Sequence, residues 1–225
     1  MAWVWFFDLD GTLYTDRTGL WPAISERITL YLQKFLNLTR EEALTLRKQL
    51  MATYGTTLRG LQALYPSTDA AAYFAFVHDL PLEDYIGPDA RLAETLAALP
   101  GTKWVFTNAD AAHAQRVLRL LGVEDAFTGV IDLFAIQGVP KPLPEAYQRA
   151  LALAGHPRPE QSILVDDQRR NLLPAKALGM YAIWVTPEAE ADDAVDAVIP
   201  DVYHLPEAWT RLVSQAGVSK EERTC

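Results

Sequence analysis

Apolar positions along the chain follow two rhythms. Short, nearly unbroken apolar runs occur at Val4 to Phe7, Lys103 to Thr107, Ser162 to Val165 and Ala182 to Val185. Runs of this length without strict alternation predict strands buried on both faces. Between them, apolar residues recur at helical spacing: Leu92, Leu96 and Leu99 share one stripe before the second run, and Ala114, Val117, Leu118 and Leu121 share another after it. Strands alternating with helices predict an α/β fold, a doubly wound, Rossmann-like parallel sheet with crossover helices. Val195 to Ile199 predicts a fifth strand, and Val130 to Phe134 is a further candidate.

From Asp16 to Tyr85 the pattern changes to helical periodicity with no buried-strand run. Ile24, Ile28, Tyr31, Leu32 and Phe35 predict one amphipathic helix, Glu41 to Tyr54 a second and Ala70 to His78 a third. Asn37-Leu38-Thr39 supplies a turn, with Thr39 as N-cap. The chain is thus expected to form an α/β core from residues 1–15 and 86–225, with residues 16–85 inserted as a helical cap above the loop that follows the first strand. The acidic stretch Glu188 to Ala197 is expected to be a surface loop with a short helix.

Those strand ends carry the chemistry. Asp8 and Asp10, in Phe7-Asp8-Leu9-Asp10-Gly11-Thr12, stand where the first run stops, and Asp166 and Asp167 stand where the third stops. Ligands of open α/β sheets bind at those ends. An Asp-rich turn is the plain alternative for one such pair. Two pairs on strands that such a sheet can place side by side would repel unless a divalent cation or a retained proton intervened. Hard oxygen ligands with room for water favour Mg²⁺. Thr107 and Asn108 end the second run as candidate phosphate ligands or as a helix cap. Lys141 lies between Pro140 and Pro142, which restrict where it points. Acids, a cation, a lysine and a hydroxyl suit phosphoryl transfer, in which catalysis is mostly positioning and charge stabilisation.

Composition narrows the class. Charged residues are 22% of the chain and apolar ones 50%, as in a globular protein. The net charge of -9, with 29 acids against 20 bases, argues against polymeric nucleic acid as a partner, because that affinity needs clustered cations. The lone cysteine, Cys225, allows no intrachain disulfide, and the N-terminal apolar run is too short to span a bilayer. A soluble, cytoplasmic protein without a membrane partner is expected.

In order along the chain, Asp8-Leu9-Asp10-Gly11-Thr12, Thr107-Asn108, Lys141 and Asp166-Asp167 resemble the four motifs of the haloacid dehalogenase-like hydrolase superfamily. A narrower likeness, to the pyrimidine 5'-nucleotidase branch, rests on Tyr54-Gly55-Thr56-Thr57-Leu58-Arg59-Gly60-Leu61, which looks like that branch's cap loop. It rests also on Phe106-Thr107-Asn108-Ala109 followed by His113 and Arg116, and on Val165-Asp166-Asp167-Gln168-Arg169-Arg170-Asn171. Gly11 departs from that branch, which often has asparagine there; glycine is common elsewhere in the superfamily.

The resemblance implies a set of roles. Asp8 is the nucleophile that forms an aspartyl-phosphate, and Asp10 is the general acid and then the base. Mg²⁺ is held by Asp8, the Asp10 backbone carbonyl and Asp167, with Asp166 helping directly or through water. Thr107, Asn108 and Lys141 grip the phosphoryl oxygens. Tyr54 and Arg59 are candidate contacts to the base and to an anion or ribose, with cap packing as their alternative, and His113 and Arg116 are read as structural. The implied substrate is a small phosphorylated metabolite, a nucleoside monophosphate, acted on by a monomer or homodimer. A phosphatase or phosphomutase for a sugar phosphate or phosphoglycolate is the alternative, and a phosphate-sensing scaffold is a third. A dehalogenase is disfavoured because cleaving a carbon–halogen bond needs neither a metal cluster nor Asp10.

Overall fold

A computed structural model describes residues 3–188 and 191–215 of the chain. Its strands are β1 (Val4–Phe7), β2 (Thr102–Phe106), β3 (Gly129–Ile131), β4 (Ser162–Asp166), β5 (Tyr181–Val185) and β6 (Ala197–Ile199). They form one sheet in the order β3-β2-β1-β4-β5-β6, and every pairing is parallel. β1 is central, and Trp5, Phe6 and Phe7 are fully buried, which is why that run has no polar face. Each such side chain is worth about 1.5–3 kcal/mol of burial. The candidate run Val130 to Phe134 stops early, at Ile131. Asp132 accepts hydrogen bonds from the backbone N–H groups of Ala111 and Ala135 and turns the chain away. Val195 likewise lies in a turn, its N–H donating to the Asp192 carbonyl, so the last strand begins only at Ala197.

The chain divides into two compact units: residues up to Thr15 with those from Ile86 onward, and Asp16–Tyr85. The second unit holds α1 (Leu20–Leu36), α2 (Arg40–Tyr54), α3 (Thr57–Leu64) and α4 (Ala70–Val77). Thr39 caps α2 in a full capping box with Glu42. Of the stretch likened to a cap loop, Tyr54 ends α2 and Thr57 to Leu61 lie in α3, started by Thr56, whose side chain accepts from the Arg59 N–H. Its Gly60 marks close packing rather than a loop, for a Cβ there would lie 2.8 Å from Leu50 Cβ. α2 and α3 therefore approach closely at a position a larger residue would wedge apart.

In the first unit, α5 (Ala90–Ala97), α6 (Ala111–Leu121), α7 (Pro144–Leu153), α8 (Arg169–Ala177) and α9 (Leu205–Gln215) complete the crossovers. α5 buries Leu92 and Leu96, and α6 buries Ala114, Val117, Leu118 and Leu121, the stripes that the spacing predicts. Within Glu188 to Ala197, residues 189 and 190 lie outside the described residues; the described ones form turns and the start of β6, not a helix. Cys225 also lies outside them. Among the described residues no helix is long and apolar enough to cross a membrane.

Candidate active site

Strand register builds the site. β1 pairs with β4 so that Phe7 stands opposite Val165, and the ladder continues with the Asp8 N–H donating to the Val165 carbonyl at 2.9 Å. Asp8 and Asp166 therefore leave the two central strands side by side. Beyond Asp8 the chain turns at once, with the Leu13 N–H returning to the Leu9 carbonyl. Gly11 takes a φ of +92°, and a Cβ on it would lie 2.9 Å from Asp167 Oδ2. A side chain at that position would strain the turn and push the Asp167 carboxylate aside. The buried Thr12 hydroxyl then accepts the Asp167 N–H at 3.0 Å, tying the first loop to the end of β4.

Lys141 is the electrostatic hinge of the site. Its Nζ donates to Asp8 Oδ1 at 2.8 Å and to Asp166 Oδ2 at 2.6 Å, with 1% of its side chain exposed. The ammonium also lies 5.0 Å from the centre of the Phe106 ring. Burial works to lower the lysine's proton affinity, but Asp166 and Asp8 together outweigh it and hold Lys141 charged. Burial, against the pull of Lys141, raises Asp8 to about 7 and Asp166 to about 6. Asp167 is raised to about 6, by burial and then by Asp166.

Asp166 is fully committed to protein donors. Besides Lys141 it accepts from the Asn171 side chain and from the Gln168 N–H. Asp167 is different: Oδ2 accepts from Gln168 at 2.5 Å, but Oδ1 is buried and meets no donor. A buried carboxylate oxygen without a donor calls for a cation or water. Carboxylate oxygens of Asp8, Asp166 and Asp167 lie within 4.8 Å of one another. Three carboxylates against one ammonium leave two negative charges, so the donor set fits a hard divalent cation such as Mg²⁺. The Asp10 carboxylate is not part of this cluster.

Of the residues expected to grip phosphate, Thr107 is buried at the end of β2, its hydroxyl accepting from the Ala109 N–H. Asn108 does something the sequence reading did not anticipate. Its amide spans the Lys141 main chain, Nδ2 donating to the Lys141 carbonyl at 3.0 Å and Oδ1 accepting the Lys141 N–H at 2.8 Å. Both ends of the amide thus meet the Lys141 main chain and position the lysine, while the amide nitrogen carries a second N–H that an anion could accept. Asp10 is held too. Its Oδ1 accepts from the Tyr14 hydroxyl and lies 2.9 Å from His113 Nε2, in the first turn of α6. His113, read as structural, thus meets Asp10. The signal available was its place in the first turn of a helix that starts at a strand's carboxyl end.

Tyr54 ends α2 and Arg59 lies in the first turn of α3, both half-buried within the helical unit.

Comparison with known proteins follows the same lines. A family model described as haloacid dehalogenase-like hydrolase matches residues 4–179. "Phosphate metabolism protein 8" of Saccharomyces cerevisiae is 30% identical over 190 residues, covering 79% of this chain and 59% of the yeast protein. The alignment therefore spans less than two thirds of that relative. A phosphoglycolate phosphatase of Salmonella paratyphi A is 27% identical over 222 residues, covering 88% of this chain and 86% of its own. Among solved structures, CbbY from Rhodobacter sphaeroides in complex with phosphate superposes with a TM-score of 0.65. It is 19% identical, over 91% of this chain and 96% of that one.

Proposed function

The chain belongs to the haloacid dehalogenase-like hydrolases, and from that premise we propose that it hydrolyses small phosphomonoesters through an acyl phosphate of Asp8. The observation that carries this reading is the Lys141 ammonium bridging Asp8 and Asp166 beside the buried, donor-free oxygen of Asp167. A phosphoryl group brought to that point meets a carboxylate nucleophile whose charge is already partly offset.

In the first step an Asp8 oxygen bonds to phosphorus while the ester P–O bond breaks. The leaving oxygen keeps the electron pair and takes a proton from Asp10. In the second, water gives a proton to Asp10 and its oxygen attacks phosphorus, releasing inorganic phosphate and the Asp8 carboxylate. Lys141, Thr107 and Asn108 hold phosphoryl oxygens, and Asp166 with Asn108 keeps Lys141 in place. Asp8, Asp167 and the Asp10 backbone carbonyl would hold Mg²⁺, with Asp166 beside them. Bound there, the ion would neutralise charge between nucleophile and phosphoryl group.

For substrate, we infer nucleoside 5'-monophosphates, with Tyr54 and Arg59 as contacts and the helical unit serving as a cap. The support is the likeness of residues 54–61 to the pyrimidine nucleotidase branch. The name of the Salmonella relative favours a second reading, phosphoglycolate. A panel of nucleotides, sugar phosphates and phosphoglycolate, scored for phosphate release with Mg²⁺ and with EDTA, separates the two. Asp8→Asn should fold and release no phosphate from any of them, because an amide is no nucleophile here. An active Asp8→Asn enzyme, or equal rates with EDTA, would defeat the mechanism.

A further inference from the structure

Two buried polar side chains converge on one atom of Asp10, and the mechanism above uses neither. Tyr14 is 4% exposed and donates its hydroxyl to Asp10 Oδ1; His113 is 1% exposed and brings Nε2 to 2.9 Å from the same oxygen. They come from opposite sides of the sequence. Tyr14 closes the turn that begins at Leu9 and bridges back to Asp10 along the backbone. His113 belongs to α6, where Asp110 accepts the His113 N–H and so fixes the first turn of that helix beside the end of β2.

Packing alone does not call for this chemistry. α6 already buries an apolar stripe of Ala114, Val117, Leu118 and Leu121, and an apolar residue at 113 would extend it without the cost of burying an imidazole. The Tyr14 hydroxyl is equally expendable for filling space.

We propose that Tyr14 and His113 are positioning residues that lock the rotamer of Asp10 and make Oδ2 the oxygen that carries its proton. This rests on the role given to Asp10 above. A carboxyl oxygen offers two lone pairs; the Tyr14 O–H takes one on Oδ1, and in the tautomer this proposal assigns to His113, with its proton on Nε2, the ring takes the other, so that oxygen is filled as an acceptor. A proton on Oδ1 would displace one of them, so donation to the leaving group and uptake from water both run through Oδ2. An acid must come within hydrogen-bond reach of the leaving oxygen to act, and a carboxylate free to rotate would spend much of its time out of that reach.

The test compares kcat/KM for an alkyl phosphate, such as glycerol 2-phosphate, with that for p-nitrophenyl phosphate, whose leaving group needs little protonation. Full acid–base assistance is worth roughly 10²–10⁴ in rate, so His113→Ala and Tyr14→Phe should lower the alkyl value on the order of tenfold to a hundredfold, within that ceiling. The aryl value should fall by less than about threefold, since its loss reports only indirect effects. His113→Gln, which can return an N–H near the same place, should recover most of the alkyl activity. Added to Asp10→Asn, neither substitution should widen the gap between substrates. Tyr14→Phe removes a single oxygen and guards against a folding defect in His113→Ala, and thermal melting of each variant checks this.

If Asp10→Asn discriminates between the substrates while His113→Ala and Tyr14→Phe depress both alike, the positioning role is overturned and the phosphatase reading stands. If either variant widens the gap in the Asp10→Asn background, the residue acts other than through Asp10 and the proposal fails. If Asp10→Asn itself depresses both substrates alike, the acid role of Asp10 fails and takes this proposal with it.

Discussion

Asp167→Asn removes one charge from the acid cluster while keeping the shape of the side chain. In the metal-free protein burial and Asp166 raise the Asp167 carboxyl from 3.8 to about 6. A carboxyl whose folded value lies above its unfolded one contributes stability that is fully present below about pH 4 and is lost as the pH rises through 6. Two pH units correspond to about 3 kcal/mol, an upper bound because Asp167 is half-buried and the neighbouring Gln168 is exposed. Asparagine carries no such penalty. For a chain of this length 1 kcal/mol moves Tm by about 2–4 °C, so in EDTA near pH 7.5 the variant should melt on the order of 5–10 °C above the parent, and the gap should close toward pH 4.

Magnesium should close most of that gap at neutral pH. At a hundred times its Kd a ligand stabilises by about 2.7 kcal/mol, which the parent should gain and the variant largely forgo. Melting curves followed by circular dichroism at both pH values, with EDTA and with saturating Mg²⁺, give the four numbers needed. An Asp167→Asn protein that melts below the parent in EDTA at neutral pH would show that Asp167 is a structural ligand of the fold. An unchanged Mg²⁺ shift would show that the cation binds elsewhere. Either result refutes the charge argument.

Two further expectations concern positioning and specificity. Asn108→Ala removes both hydrogen bonds to the Lys141 main chain, so it should cost about 1–3 kcal/mol of stability in chemical denaturation and lower kcat/KM for aryl and alkyl phosphates alike; a fully active, equally stable variant would refute that role. Tyr54→Ala and Arg59→Ala should reduce kcat/KM for a nucleoside monophosphate much more than for p-nitrophenyl phosphate, and equal losses would assign both residues to packing of the helical unit.

The strands were legible because burial on both faces leaves a compositional trace: Val4 to Phe7 and Ser162 to Val165 admit almost no polar residue. β3 was blurred because it is an edge strand of only three residues, ended by Asp132 through contacts that sequence spacing does not reveal. α3 was hidden by the likeness of residues 54–61 to a cap loop. Gly60 lies inside that helix, where Leu50 approaches it closely. At the site, the residue types and their strand ends could be read from the chain, but the direction of a short polar side chain could not. Asn108 turns to Lys141, far along the sequence, and His113 to Asp10, because tertiary packing brings those partners within reach.

The central position of β1 has a consequence for how the protein comes into being. Its two neighbours begin at Thr102 and Ser162, so a ribosome delivers Asp8 long before the strand that ends at Asp166. The helical unit of residues 16–85 is complete in between, built from contacts near in sequence that form quickly. Until Thr102 to Phe106 emerges, Val4 to Phe7 is an apolar segment with no strand to join, and until Ser162 follows one of its edges stays open, the kind of exposed edge that invites aggregation or a chaperone. Assembly of the reactive centre is thereby tied to completion of the sheet: no nascent chain holds Asp8 against Lys141 and Asp166 until β4 has emerged and docked.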